Sequence, residues 1–252
     1  MRRTLATLLA TLAIAAIGAV PAAAPALAGV TAPPVGGASA QSAPSDVGEW
    51  VARVVYRAVA HTEPSGAAPA LGLISPVSRW GTPTDLLVLD ARRDASGREW
   101  LRLLLDERPN GSAVWVDADD TVLYRDRWRI AVSRVQRRVA VYRDGHLSRA
   151  FAAVVGKPST PTPSGLFAIA AKLRQPDPRE FEGSWVLPLT AHSNVLRRFA
   201  GGDGQVALHG RGGTSLLDPL GSARSHGCVR LANRAIAWIA AHVPVGTAVR
   251  VS

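Results

Sequence analysis

The chain has 252 residues, 29 Lys or Arg against 19 Asp or Glu, a formal net charge of +10, and a single cysteine, Cys228. One cysteine excludes an intrachain disulfide. The positive charge is almost all arginine, scattered through alternating stretches such as "YRDRWRIAVSRVQRRVAVYRDGHLSRA", with no aromatic-interleaved basic patch; this argues against nucleic acid as a partner and fits a solvated surface near an anionic envelope.

In chain order, Arg2 and Arg3 precede the uncharged run "LATLLATLAIAAIGAV", and Ala26-Leu27-Ala28 follows as an A-x-A cleavage site. This layout predicts a secretory signal peptide over 1–28, only transiently in the membrane, and an exported mature protein starting near Gly29. The Ala, Pro, Gly and Ser of 29–47 predict a flexible linker. From 48 to 123, short apolar runs are split by turn signals at Asp94-Ala95-Ser96-Gly97 and Pro109-Asn110-Gly111. That spacing predicts a small β-barrel, and "WLRLLLDERPNGSAVWV" resembles a bacterial SH3-like module.

The segment 124–252 opens on the alternating strands "WRIAVSRV" and "RRVAVYRD", with a turn at "DGH". After the loop "GKPSTPTPSG" come the strand candidates "SWVLPLT" and "QVALH". "NRAIAWIAAHV" places Ile236, Ile239, Ala240 and Val243 on one helical face, with Asn233 as N-cap and Pro244 and Gly246 as stops. "TAVRVS" is a closing strand. The fold class predicted is mainly β, a small barrel followed by a β-rich domain with one packed C-terminal helix.

An unpaired thiol in an exported chain is reactive or buried. A nucleophilic cysteine works as thiolate, so it needs a proton acceptor, usually histidine. His61 lies in the first module, His146 in a turn, His192 in a loop and His242 at a helix C-terminus. His209 ends an apolar strand, and His226 stands two residues before Cys228; these two are the candidates. Gly227 between them permits close approach of the backbone and can help aim amide N–H groups at an oxyanion.

His209, fifteen residues, then Ser225-His226-Gly227-Cys228 resembles the spaced His…[Ser/Thr]-His-Gly-Cys signature of the L,D-transpeptidase (YkuD-type) catalytic domain. "VVGKPSTPTPSGLFAI" is similar to that family's Gly-Lys turn and Thr-Pro segment, and the likeness runs from about Trp128 to Val251. The resemblance implies Cys228 as nucleophile and His209 as base and acid, its second ring nitrogen held by a backbone carbonyl at Gly210. It implies Ser225 and His226 as groups shaping the pocket, and Arg230 as a partner for a substrate carboxylate. It further implies peptidoglycan stem tetrapeptides as donor, a second stem as acceptor, a thioester intermediate, 3→3 cross-links, carbapenem-type β-lactams as covalent inhibitors, and no metal or organic cofactor. Three other readings stand beside it. His209, His226 and Cys228 could be zinc ligands with an open position. The chain could be a non-catalytic wall-binding protein. The same fold could hydrolyse stems or cross-links, or attach a protein to the wall.

Overall fold

The computed structural model describes residues 43–199 and 201–252; the expected signal segment and the linker up to residue 42 lie outside them. Among the described residues no helix is long and apolar enough to cross a membrane. The first module contains β1 (Glu49–Val54), β2 (Ala58–His61), β3 (Ala70–Ile74), β4 (Asp85–Arg93), β5 (Glu99–Leu104), β6 (Ala113–Asp117) and β7 (Thr121–Asp126). They form one antiparallel sheet in the order β3-β2-β6-β5-β4-β1-β7, so the expected small barrel is a seven-stranded sheet with β3 and β7 as its edges. Period-2 alternation explains its core: Ala52, Val54, Leu101, Leu103, Val114 and Val116 project to one buried side. The predicted turn at Asp94 is present. Asp94 N–H donates to the Arg98 carbonyl at 2.9 Å, and Gly97 supplies the positive φ of 85°.

The second module contains β8 (Trp128–Ser133), β9 (Arg138–Arg143), β10 (His146–Ala152), β11 (Val155–Gly156), β12 (Gly165–Ala168), β13 (Leu173–Arg174), β14 (Trp185–His192), β15 (Gln205–His209), β16 (Ala223–Ser225), β17 (Val229–Arg230), α1 (Asn233–His242) and β18 (Ala248–Val251). The meander is as predicted, with Asp144 and Gly145 at positive φ in its turn. The closing strand β18 inserts between β8 and β12, giving the order β10-β9-β8-β18-β12. A second sheet, β13-β14-β15-β17, carries the strand that ends in His209. Helix α1 lies against β14 and β15, burying Ile236, Ile239, Ala240 and Val243 as their spacing predicts.

One detail of the helix differs. Asn233 is its first residue, not its N-cap; Ala232 holds the cap position, with no side-chain cap bond. The Asn233 amide instead bonds to backbone groups of two neighbouring loops. Those partners outweigh the single local bond, typically ~1 kcal/mol, that a cap would make.

Only Arg127 separates β7 from β8, and the described residues fall in one compact unit. Leu87 and Leu104 of the first sheet bury Ala168 and Ala248 of the second module. Gly246, at φ +86°, passes so close that a Cβ there would lie 2.4 Å from Val51 Cγ1. Tyr124 donates to the Val245 carbonyl, Thr247 to Asp126, and Ala248 N–H to Glu49. The two modules are thus stitched at their chain junction.

Glu49 makes that seam sensitive to pH. It is 2% exposed; one carboxyl oxygen accepts from Ala248 and the other has no partner. Burial pushes its pKa from 4.5 up to about 8, with Asp126 adding to the shift. The folded state therefore keeps a proton that the unfolded chain releases, and stability falls as pH rises from 4.5 to about 8. Glu49→Gln keeps an acceptor for Ala248 and cannot ionise. Its unfolding free energy, measured in denaturant from pH 5 to 8, should fall less steeply, by up to ~1.4 kcal/mol per pH unit. It should also be the more stable form at pH 8. Equal slopes for the two proteins would count against this account.

Candidate active site

Strand β15 is short and almost wholly buried, so it presents its last side chain at a fixed place. β17 pairs with it in parallel, setting Leu208 opposite Val229 and His209 opposite Arg230. Cys228 falls beside Ala207, whose backbone amide favours the thiolate. His209, His226, Cys228 and Arg230 consequently line one cleft of about 550 Å³, walled by Trp80, Phe181, Leu196 and Phe199.

His209 is 3% exposed. Its Nδ1 lies 2.8 Å from the Gly210 carbonyl. A carbonyl can only accept, so Nδ1 carries the proton and Nε2 is left as the acceptor. Burial lowers the ring's pKa from 6.5 to about 4, assisted by the Arg230 charge and opposed by the Gly210 and Glu182 backbone. The Cys228 thiol, part-exposed at the cleft, is pushed up, chiefly by desolvation and secondarily by Glu182, against the Ala207 amide and Arg230. Both shifts favour the uncharged forms. The resting pair at neutral pH is a thiol and a neutral imidazole, and the thiol needs a base.

The turn that carries Cys228 is held from beneath. Ser225 is buried; its Oγ donates to the Cys228 carbonyl at 2.6 Å and accepts from Gly227 N–H at 3.1 Å. The Gly227 N–H is thereby taken within the turn. Gly227 sits at φ +126° with no Cβ obstruction closer than 3.7 Å, so conformation rather than space demands glycine. The "GKPSTPTPSG" loop supplies the rest. Thr162 Oγ1 donates to the Gly227 carbonyl at 2.8 Å and accepts from Gly156 N–H at 3.0 Å. Thr160 Oγ1 and Lys157 N–H both donate to the Ser225 carbonyl.

Arg230, predicted to meet a substrate carboxylate, already has a partner. Its Nη1 lies 2.6 Å from Asp218 and its guanidinium stacks 4.8 Å from the Phe181 ring centroid, while its buried Nε has no partner among the described residues. His226 is exposed, stacked on Phe199 at 5.1 Å, with Nε2 3.5 Å from Lys157 Nζ. Partial desolvation and the Lys157 and Arg230 charges lower its pKa. Among the described residues no backbone carbonyl orients its ring as Gly210 orients that of His209. The other histidines are elsewhere: His61 bonds to the Ala68 carbonyl in the first module, and His242 stacks on Trp238. His192, expected in a loop, is the last residue of β14 and pairs with Asp203. Among the described residues no three His, Cys, Asp or Glu side chains converge where a metal ion could sit.

The first module also reaches the site. Arg108 donates to the Ser193, Leu196 and Asp203 carbonyls. Asn110 exchanges two hydrogen bonds with the His192 backbone, at 2.8 and 2.7 Å. The predicted Pro109-Asn110-Gly111 turn therefore grips the loop that carries Leu196 and Phe199. Sequence reasoning did not single out Thr160, Thr162, Asp218, Phe181 or Phe199. Their polar bonds and ring contacts join segments far apart in the chain, and no local pattern encodes such partners.

The family model for the YkuD L,D-transpeptidase catalytic domain matches residues 127–251. A Bacillus licheniformis protein carrying the provisional name L,D-transpeptidase YkuD is 33% identical over 133 residues, covering 53% of this chain and 68% of that protein. An Enterococcus faecium L,D-transpeptidase crystal structure aligns at 22% identity and TM-score 0.35, over 49% of this chain and 49% of that one. An L,D-transpeptidase solved in complex with imipenem aligns at 19% identity and TM-score 0.42, over 79% of this chain and 95% of that one.

The Thr162 hydroxyl is the most consequential of the overlooked groups. Thr162→Val keeps its shape and orphans both the Gly156 N–H and the Gly227 carbonyl. Each buried unsatisfied group costs ~1–3 kcal/mol. The variant should melt several degrees lower, at about 2–4 °C per kcal/mol for a chain of this size. Its Cys228 should also react with small thiol reagents at an altered rate. An unchanged Tm would remove Thr162 from the support of the Cys228 turn.

Proposed function

This chain belongs to the family of L,D-transpeptidase catalytic domains, and on that premise we propose that it is an exported cysteine acyltransferase of peptidoglycan. In this reading Cys228 attacks the carbonyl of the third residue of a stem tetrapeptide while His209 Nε2 takes the thiol proton. The tetrahedral intermediate collapses, His209 returns that proton to the leaving amine, and the terminal D-alanine departs. A thioester to Cys228 remains. An acceptor stem amine then displaces the thiol, completing a 3→3 cross-link and restoring Cys228. No metal or organic cofactor takes part. The protein works outside the cytoplasmic membrane, after removal of residues 1–28. Carbapenem-type β-lactams would acylate the same thiol.

The observation that carries this reading is the buried imidazole of His209, its proton fixed on Nδ1 by the Gly210 carbonyl, lining the same cleft as the part-exposed Cys228. A base with a pKa near 4 stays unprotonated across the whole neutral range. A thiol pushed above its ordinary value makes that base necessary.

Imipenem acylation followed by mass spectrometry against pH separates the roles. Cys228→Ala should form no adduct. His209→Ala should slow acylation by about 10²–10⁴-fold, and its residual rate should climb only as the thiol ionises, above the ordinary ~8.5. His226→Ala should lower the amplitude and keep the native profile. The native profile should lack an acid limb above about pH 5, since His209 is half protonated only near 4. If His226→Ala and not His209→Ala abolishes the plateau, the two histidines exchange roles. Incubation with disaccharide-tetrapeptide decides the reaction: dimers with loss of D-alanine support transpeptidation, and D-alanine release without dimers makes the protein a carboxypeptidase.

A further inference from the structure

Asn233, anticipated as a helix cap, makes four side-chain hydrogen bonds around the His209 loop. Its Oδ1 accepts from Ser184 N–H at 3.1 Å and from Arg211 N–H at 3.0 Å. Its Nδ2 donates to the Arg211 carbonyl at 3.0 Å and the Pro178 carbonyl at 3.2 Å. The second acceptor bond is the important one. Arg211 N–H and the Gly210 carbonyl are the two ends of one peptide unit, and that carbonyl receives the His209 Nδ1 proton at 2.8 Å. A hydrogen bond accepted from the N–H of a peptide polarises its carbonyl and strengthens it as an acceptor. It also prevents the planar unit from turning.

The surrounding sequence makes room for this amide. A Cβ on Gly183 would lie 2.1 Å from Asn233 Oδ1, and one on Gly210 would lie 2.2 Å away. The first residue of α1 is itself firmly placed, because Ala235, Ile236, Ile239 and Ala240 bury the next turns of the helix against the sheet. A rigid element thus extends from the core to the imidazole through one side chain and one peptide.

We propose that Asn233 is a positioning residue that fixes, through the Gly210–Arg211 peptide, the Nδ1–H tautomer and the aim of the His209 ring. The role is that of the carboxylate in a Ser-His-Asp triad, exerted by a neutral amide across an intervening peptide. A neutral partner suits this site. A buried carboxylate beside His209 would favour the imidazolium, whereas the surroundings hold the ring's pKa near 4.

This inference rests on the reading of His209 as the base, and the test separates the two. The tautomer is read in the ligand-free full chain from the imidazole ¹⁵N shifts of His209, and acylation is read with imipenem. In the native protein the shifts should report Nδ1–H. Asn233→Ala removes the acceptor of Arg211 N–H; it should populate the Nε2–H tautomer and slow acylation by about tenfold or more, short of the 10²–10⁴-fold cost of losing the base. Asn233→Asp keeps the acceptor and loses both donor bonds. It should melt at least as low as Asn233→Ala, yet retain the Nδ1–H signature and the faster acylation of the two. This reversal of order between Tm and tautomer is what a purely structural role would not produce. The proposal is overturned if the Nδ1–H signature survives Asn233→Ala, if Asn233→Asp loses it, or if acylation simply follows Tm in both variants. A tautomer shift in Asn233→Ala with native acylation would uphold the latch and remove His209 as the base.

Discussion

The site depends on a parallel pairing of two residues in β15 with two in β17. Leu208 faces Val229 and His209 faces Arg230, and that register brings His209 and Arg230 to the cleft, with Cys228 next along the chain before β17. A slip of one residue would turn His209 away from the cleft, since strand side chains alternate faces. Such a short ladder has little stability of its own. It is held because β15 also pairs with β14 over its length, and because Leu208, Val229 and Leu231 are sealed in the core with α1 behind them. Burial of apolar surface at ~25 cal/mol per Å² provides the main stabilisation, and the geometry of the cleft is inherited from it.

The same burial determines the chemistry. Removing water from around His209 and Cys228 pushes the imidazole down and the thiol up. A pair displaced in these directions rests uncharged, unlike a preformed thiolate–imidazolium pair. The Arg230 guanidinium biases both groups, lowering the imidazole's pKa and opposing the rise of the thiol's, while Asp218 neutralises much of its charge. In the proposed mechanism, nucleophilicity is thereby deferred until a proton can pass to Nε2. A resting thiol of this kind is also less prone to adventitious oxidation, which follows thiolate character and exposure.

Around this centre, positive-φ glycines and side-chain-to-backbone bonds do the work that longer secondary structure does elsewhere. Thr160, Thr162 and Ser225 bond to the backbone of the Cys228 turn, and Asn233 does so for the His209 loop. The first module extends the scheme: Arg108 and Asn110 hold the segment that brings Leu196 and Phe199 to the cleft. With Trp80 also in the cleft wall, that module contributes to the cleft as well as to the junction with the second module.

The sequence by itself determined the mainly β character, the hairpin turns at Asp94 and Asp144, the buried face of α1, and the candidate residues His209, His226 and Cys228. These are local matters. Alternation, positive-φ turn residues and helical spacing are read over a few neighbours, and the histidine–cysteine motif is a contiguous string with one long spacing. Tertiary structure decided the desolvation that lowers the His209 pKa, against the opposing pull of the Gly210 carbonyl that orients its ring. It decided that Ser225 spends its hydroxyl inside the turn and that Arg230 is already paired with Asp218. It reassigned Asn233 from a helix cap to a bridge between the 178–184 loop and the His209 loop. It joined the two modules through Glu49, Asp126 and Arg108. The partners of Asn233, Glu49, Asp126 and Arg108 lie far along the chain, and a buried polar group takes its role from the partner that packing presents to it, which no local pattern specifies.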